Sequence, residues 1–259
     1  MGGWYGGFVA QEFHWRLAFY SLGLLGIVYA FPYFAFLKGM GEEEQPETKK
    51  SAGGLPLIVL VKIPSYLFLC MVSAAYTFSL WLLYTWLAHF MYEKFSLGLA
   101  EAGFIATVYL QSATLVGLLL GGVMADWLYN RTKEARFWLV CAGLLLAAPC
   151  VHLIGSADSL RLAKAAAVGF GIGGGVLMAN LNVCSFEVVP ADTRASALGF
   201  LNLTSGFVSG FAALLGGMWK ESVGIDSMMS YAALVCTAAG LLLVFGIKRY
   251  FRMDFDRVH

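Results

Sequence analysis

Acidic and basic side chains stand at the ends of long apolar segments in this sequence, where ion pairing is the chemistry open to them. Asp126 ends one apolar segment and is followed by a short, strongly basic loop that contains Arg131. Glu187 lies about one turn before the end of a later apolar segment, and Arg194 follows it. Ion pairs at helix ends are strong enough to bias two conformations and weak enough to break. The alternative is that these charges only set topology and form surface pairs worth about 0–1 kcal/mol.

A second group of polar and aromatic side chains interrupts the apolar segments near their middles. Polar residues at such positions are costly in a membrane interior, so they face a cavity or another helix. We expect a substrate cavity to be lined by eight residues: Tyr76, Trp81, Tyr84, Gln111, Asn180, Asn182, Asn202 and Ser205. The alternative is hydrogen bonding between helices, worth about 0.6 kcal/mol per contact, and both interpretations stay open for the amides.

The remaining residues suggest no catalytic, cofactor or metal site. The sequence has no nucleophile–base set, phosphate-binding loop or metal-ligand spacing, so we expect a protein that is not an enzyme and has no cofactor or nucleic-acid partner. The glycine-rich run 169–175 fits G-x-G-x-x-G, but no strand precedes it, which favours helix packing or a hinge. His89 and His152, near the ends of apolar segments, are interpreted as interface residues and not as ligands.

The elements that must position these residues are membrane-spanning helices. The chain has 259 residues, of which 59% are hydrophobic and 13% charged, whereas soluble domains have about 25% charged residues. A helix needs about 20 apolar residues to cross a bilayer. Seven spans are predicted, at residues 15–37, 63–92, 103–125, 137–155, 162–189, 196–219 and 228–247. The expected fold class is an all-α, polytopic transmembrane helical bundle.

The distribution of Lys and Arg predicts the orientation, because cytoplasmic loops carry the excess of these residues. Twelve of the seventeen lie on one side: Lys38, Lys49, Lys50, Lys62, Arg131, Lys133, Arg136, Arg194, Lys248, Arg249, Arg252 and Arg257. The other side carries Arg16, Lys94, Arg161, Lys164 and Lys220. We therefore expect an integral protein of the bacterial inner (plasma) membrane, with the linker, the Asp126 and Arg194 loops and the C-terminus in the cytoplasm.

The charged helix ends resemble signatures of the major facilitator superfamily. Gly122-x-x-x-Asp126 followed by Arg131 resembles the loop signature between the second and third helices of each six-helix half. Residues 187–194, Glu-Val-Val-Pro-Ala-Asp-Thr-Arg, resemble the E-x-x-P-x-x-x-R pattern that ends the fourth helix and enters the fifth. Residues 14–20, with W-R-x-x-F, are similar to the entry to the last helix of the N-terminal half.

The resemblance implies twelve spans in two six-helix halves, of which this chain has seven. Residues 1–38 correspond to the end of the N-terminal half, with the tail of its fifth helix and its sixth helix. Residues 39–62 correspond to a cytoplasmic central linker, 63–250 to the six-helix C-terminal bundle and 251–259 to a cytoplasmic tail. We therefore expect a fragment or truncated product whose partners are the lipid bilayer and a missing N-terminal half.

The resemblance also implies secondary active transport by alternating access. The subgroup that the sequence most resembles is the anion:cation symporter type, so the expected substrate is a small polar organic solute: a sugar acid, a carboxylate or a sugar. Symport with H⁺ or Na⁺ is the implied coupling. The alternative is a membrane receptor or assembly partner that does not transport and is derived from half a transporter.

A cytoplasmic gate is the role that the resemblance gives to the charged helix ends. Its members would be Gly122, Asp126, Arg131, Glu187 and Arg194. The position after Asp126, which is often basic in the family, is a tryptophan here, so the network is expected to rely on Arg131.

Overall fold

The computed structural model describes residues 15–39, 56–220 and 222–258. The first fourteen residues and most of the predicted linker, at positions 40–55, lie outside this range. The chain divides into two compact units, residues 1–52 and 53–259, and each unit is described by itself below.

The described residues form helices and no strand, which confirms the predicted all-α class. Within the described ranges, seven helices are long and apolar enough to cross a membrane, in agreement with the seven predicted spans. The α-helices are α1 Trp15–Gly39, α2 Pro56–Val61, α3 Pro64–Phe95, α4 Leu99–Phe104, α5 Leu110–Tyr129, α6 Ala135–Ser156, α7 Leu160–Val188, α8 Arg194–Trp219, α9 Ile225–Gly246 and α10 Arg252–Val258. The π-helical segments Ile105–Tyr109 and Ile247–Phe251 join α4 to α5 and α9 to α10, and the 3-10 turn Ala191–Thr193 precedes α8.

Helix α1 is the described part of the first unit. Its sequence is apolar around the whole circumference, which is typical of a helix that faces lipid or other helices on every side. Pro32 lies inside the helix, which continues beyond it to Gly39.

Helix α7 lies at the centre of the second unit, packed closely against α5 and α6. Glycines allow this approach: a Cβ on Gly117 of α5 would lie 2.2 Å from the carbonyl oxygen of Ile172. Gly143 of α6 and Gly173 of α7 face each other, and a Cβ on either would lie 2.5 or 2.6 Å from the other's carbonyl oxygen. The glycine run 169–175 is therefore a helix-packing surface, as its membrane context predicts.

The remaining long helices extend this core. Helix α9 packs against both α6 and α3, and α3 packs against α8. Helices α3, α7 and α8 are the elements that enclose the cavity described below.

The second unit has two ends that differ in their charged residues. The ends of α5 and α7 and the starts of α3, α6 and α8 lie at one end, which we call the Asp126 end. Helix α10 also lies there, where Asp254 is 1% exposed and its Oδ2 accepts a hydrogen bond from the Ser65 backbone N–H at 3.0 Å. The opposite end, which we call the His89 end, contains the ends of α3, α6 and α8 and the start of α9. There Lys94 donates to the carbonyl oxygen of Gly155 at 2.5 Å.

Candidate functional site: a polar cavity and a charged cluster

A cavity of about 330 Å³ lies between α3, α7 and α8. This volume is at the lower end of the range for small-molecule sites. Its polar and aromatic lining includes Tyr76, Trp81, Asn182, Asn202, Ser205 and Ser209. None of the described residues that line it carries a formal charge. Its walls can therefore hold a ligand through amides, hydroxyls and aromatic rings.

Five of the eight residues predicted for a substrate cavity line this one: Tyr76, Trp81, Asn182, Asn202 and Ser205. The side chains of Asn182 on α7 and Asn202 on α8 are both exposed. Their amides can therefore donate to and accept from a ligand that enters the cavity.

The other three predicted residues lie outside the cavity lining. Asn180 is 1% exposed, and its amide donates to the carbonyl oxygens of Gly121 at 3.3 Å and Val176 at 2.9 Å. It therefore belongs to the contact between α7 and α5. Gln111 is exposed on α5 and lies near Tyr84 of α3. Neither side chain lines the cavity.

Two contacts fix the wall of the cavity. The hydroxyl oxygens of Ser73 and Ser205 lie 2.8 Å apart and join α3 to α8. The ring of Tyr76 is 3% exposed and stacks on Phe170 of α7 with centroids 5.6 Å apart. By contrast, Trp81 is 45% exposed, so its indole is the ring that the cavity presents most openly.

A charged cluster at the Asp126 end joins three helices through Arg136. The Nη1 of Arg136 donates to Oε1 of Glu187 at 2.6 Å, and its Nη2 lies 3.7 Å from Oδ1 of Asp126. Its guanidinium also lies over the ring of Tyr129, 4.5 Å from the centroid. Glu187 is only 7% exposed, so its carboxylate depends on a nearby cation. We call Asp126, Arg136 and Glu187 the Arg136 cluster.

The other residues predicted for the gate make different contacts. The guanidinium of Arg131 lies 4.4 Å from the ring centroid of Trp127, and that of Arg194 lies 6.0 Å from the ring centroid of Phe186. Gly122 has open space where a side chain would begin. The structure thus places Arg136, and not Arg131, as the basic residue closest to Asp126 among the ion pairs of the described chain.

Sequence reasoning missed Arg136 because it counted this residue only as one of several loop cations. The structure begins α6 at Ala135, so Arg136 lies in the first turn of a helix. The signal was present in the sequence, because an apolar segment starts immediately after Arg136.

Metal coordination has no candidate in the part of the chain that the structure describes. No three His, Cys, Asp or Glu side chains there are close enough together to hold an ion. The side chains of the cavity can form reversible hydrogen bonds, and those at the helix ends can form reversible ion pairs.

The family model of the Major Facilitator Superfamily matches residues 1–214 and 69–252 of this sequence. The chain belongs to the major facilitator superfamily. The E-x-x-P-x-x-x-R segment of this superfamily chain has a clear structural reason: α7 ends at Val188, Pro190 precedes a 3-10 turn, and α8 begins at Arg194. Because proline disfavours the helical conformation of the preceding residue, it separates the two helices there.

Two curated relatives of this superfamily chain are similar over part of their length. The hexuronate transporter of Bacillus subtilis (strain 168) is 26% identical over 134 residues, which cover 49% of this chain and 32% of the relative. An MFS-type efflux pump of Mycolicibacterium smegmatis is 27% identical over 228 residues, which cover 85% of this chain and 52% of the relative. The chain thus spans about half or less of the length of these relatives.

A solved structure supports the fold. A bacterial homologue of the human lysosomal transporter Spinster, in an inward-facing and unoccupied conformation, matches with a TM-score of 0.62 and 18% identity. The match covers 100% of this chain and 66% of that structure. At this identity the likeness concerns the fold alone.

Proposed function

We propose that this chain takes part in secondary active transport of a small polar organic solute by alternating access. The observation that carries the proposal is an uncharged cavity between α3, α7 and α8 of a superfamily bundle, lined by amides, hydroxyls and aromatic rings together with apolar side chains. A sugar acid, a carboxylate or a sugar is the substrate class that we favour. The similarity to a hexuronate transporter supports the sugar-acid class.

In this proposal Asn182 and Asn202 form the hydrogen-bonding part of the site. Each amide offers two donors and an acceptor oxygen, which suits hydroxyl and carboxyl groups. The open indole of Trp81 supplies a face against which the C–H groups of a sugar ring can pack. Because the described lining has no charge, a carboxylate of the substrate would be neutralised by groups of a second half-bundle, which would also bind the coupling H⁺ or Na⁺.

The Arg136 cluster is the proposed gate on the side that the charge count predicts to be cytoplasmic. It joins the end of α5, the start of α6 and the end of α7, and α7 also carries Asn182 of the cavity. A change in the pairing of Arg136 would therefore be transmitted along α7 to the cavity wall. The protein would lie in a bacterial inner membrane with its linker and C-terminus in the cytoplasm.

Equilibrium binding tests the cavity assignment. We expect radiolabelled D-glucuronate to bind saturably to a nanodisc preparation that contains this chain and any second half it requires, and Asn202→Ala to weaken this binding about tenfold through loss of a hydrogen bond to the ligand. Gln111→Ala is the matched control, because it removes an amide that lies outside the cavity, and it should leave affinity unchanged. Absence of saturable binding of D-glucuronate, D-gluconate and D-glucose at millimolar concentration would reject the proposed substrate class.

Uptake into proteoliposomes tests transport separately from binding. In a transport-competent preparation, containing this chain and any second half it requires, Asp126→Asn should lower the rate of D-glucuronate uptake and leave D-glucuronate affinity unchanged. Equal uptake by the parent and the variant would remove Asp126 from the gate, whereas loss of both binding and uptake would place its effect on the fold.

A further inference from the structure

The His89 end contains a second charged cluster that the proposed transport mechanism does not use. His89 and Glu93, one turn apart on α3, lie with Nε2 and Oε1 at 3.0 Å. Lys220, directly after α8, contacts Nε2 of His89 through its Nζ, which also lies 3.5 Å from Oε1 of Glu93. Lys220 is thus the link that joins α8 to two side chains of α3. We call His89, Glu93 and Lys220 the His89 cluster.

A close aromatic contact brings the two helices together next to the His89 cluster. The indole of Trp86 on α3 lies against Gly216 of α8, where a Cβ would be 2.1 Å from Nε1. The Nζ of Lys220 lies 5.9 Å from the Trp86 ring centroid, and the Trp86 and His89 rings meet edge to face at 6.3 Å. Trp86 and Lys220 therefore hold α3 to α8 by packing and by charge at the same level.

The other charged groups near the cluster are Lys94 and Asp226. Both line a second cavity of about 330 Å³ together with Glu93 and Lys220. The contact that Lys94 makes there is a hydrogen bond to the backbone carbonyl of Gly155 on α6. Glu221, the neighbour of Lys220 in the sequence, lies outside the described residues. From the elements described around it, His89 therefore faces one acid on its own helix and one cation on α8.

We propose that the His89 cluster is an acid-sensitive latch between α3 and α8. When His89 is neutral, its Nε2 accepts a hydrogen bond from Lys220, and Glu93 adds a second interaction across the two helices. When His89 is protonated, Nε2 becomes a donor to Glu93 and a cation facing Lys220. Protonation therefore replaces the contact of His89 with Lys220, which joins two helices, by a contact of His89 with Glu93 within α3. Acid thus weakens the latch. Imidazole groups ordinarily change charge between pH 5 and 8.

The latch lies closer to the His89 end of the bundle than the cavity of the proposed site does. Helices α3 and α8 contribute Trp81 and Ser209 to the cavity lining, and the Ser73–Ser205 contact joins the same helices further towards the Asp126 end. Release of Lys220 would let α3 and α8 separate between the Ser73–Ser205 contact and the His89 end. The cavity would then become more accessible from the His89 end. The inference goes beyond the proposed transport and does not depend on any substrate.

Thiol labelling of the full chain tests the latch without a transport assay. We would introduce Ser209→Cys, reconstitute the chain in nanodiscs, and measure its rate of modification by a water-soluble methanethiosulfonate reagent at about pH 8 and about pH 5.5, on either side of the imidazole range. The chain without Ser209→Cys gives the background from native cysteines. Dividing each rate by that of the same chain carrying His89→Gln cancels the ionisation of the labelled thiol.

We expect the labelling rate of the Ser209→Cys chain, divided by that of the same chain with His89→Gln, to be near one at the higher pH. The ratio should rise about threefold at the lower pH, which is the scale of one weak ion pair. Lys220→Met should give fast labelling at both pH values. His152→Gln is the matched control, because His152 lies at the same end and contacts Ser230 of α9, and it should behave like the parent chain.

The latch is refuted if the ratio is the same at both pH values. It is also refuted if the chain with His152→Gln loses the acid response and the chain with His89→Gln retains the acid response. His89→Asn provides a second reference in case His89→Gln does not fold, because it also replaces the imidazole by a group that stays neutral at both pH values. The acid response relative to His89→Asn should again be about threefold. A ratio of one in this comparison also refutes the latch.

Discussion

The two ends of the bundle both carry an ion-paired cluster, but the clusters differ in burial. At the Asp126 end, the side chain of Glu187 is 9% exposed and that of Arg136 is 21% exposed. At the His89 end, the side chains of His89 and Glu93 are 38% and 53% exposed. Water screens the second cluster and hardly reaches the pair of Glu187 with Arg136. The Glu187–Arg136 pair should therefore govern stability, whereas the His89 cluster, like the exposed Asp126–Arg136 contact of the proposed gate, is suited to open at low energetic cost.

This difference matters for a protein that must alternate between conformations. A buried ion pair cannot lose one partner cheaply, because the remaining charge stays desolvated. An exposed pair can exchange its partner for water at a cost of about 0–1 kcal/mol. We therefore expect substitutions that break the Glu187–Arg136 pair to have large effects on folding, and substitutions of charged residues in the His89 cluster to act mainly on the distribution of conformations.

Arg136→Met should have the largest effect. It leaves the buried carboxylate of Glu187 without its closest cation, and we expect the free energy of unfolding to fall by about 3 kcal/mol. Denaturant unfolding in mild detergent measures this change. Arg131→Met is the matched control, because it removes a loop cation that lies over Trp127, and its cost should stay below about 1 kcal/mol.

A double substitution separates loss of the pair from general damage. Arg136→Met combined with Glu187→Leu removes both charges, and apolar replacements of buried pairs are often neutral. The double variant should therefore recover most of the lost stability. If it is as unstable as Arg136→Met alone, then the burial of Glu187 is not the reason for the effect.

Gly216→Ala should have the next largest effect and tests the packing at the His89 end. The added methyl group would overlap the indole of Trp86, and overpacking costs about 1–3 kcal/mol. Gly217→Ala is the matched control, because its Cβ would lie 3.6 Å from Trp86, an ordinary contact. It should be neutral or stabilising by up to about 1 kcal/mol, since alanine favours a helix. Equal unfolding free energies for the two variants would contradict the close contact.

The sequence was sufficient to predict the helical class and the seven spans, because apolar length is a local signal. It could not show which of two predicted cavity residues, Asn180 and Asn182, faces an open space and which packs against another helix. Residues two apart point to different sides of a helix, so one lines the cavity and the other contacts α5. Helical periodicity indicates that Asn180 and Asn182 lie on different faces of α7. Only the packing of α7 shows which of the two faces the cavity.

The charged clusters show the same limit at longer range. Arg131 is nearer than Arg136 to Asp126 in the sequence, yet the loop turns Arg131 onto Trp127. The His89 cluster joins residues 131 positions apart, His89 and Lys220. No local pattern links them, because their contact depends on how α3 and α8 pack.

Asp126→Asn should affect stability only slightly. The Asp126 side chain is 83% exposed and lies 3.7 Å from Arg136, so water already screens the pair, and the expected cost is below about 1 kcal/mol. The same unfolding measurement checks this value against Arg136→Met. A loss as large as that of Arg136→Met would mean that Asp126, and not Glu187, is the main partner of the arginine. Asp126 would then be the stabilising partner of Arg136, and Glu187 would be the partner that is released at low cost.

Lys220→Met should have the smallest effect on stability, about 0.5 kcal/mol, and its dependence on salt tests the contrast between the two ends. The side chain of Lys220 is 29% exposed and that of its partner Glu93 is 53% exposed. At an ionic strength of about 1 M the screening length is about 3 Å, so the difference between the parent and Lys220→Met should disappear. The cost of Arg136→Met should largely persist under the same conditions, because salt does not reach a buried carboxylate. Equal salt sensitivity of the two variants would show that the clusters are screened alike, and burial would then no longer distinguish a stabilising cluster from a releasable one.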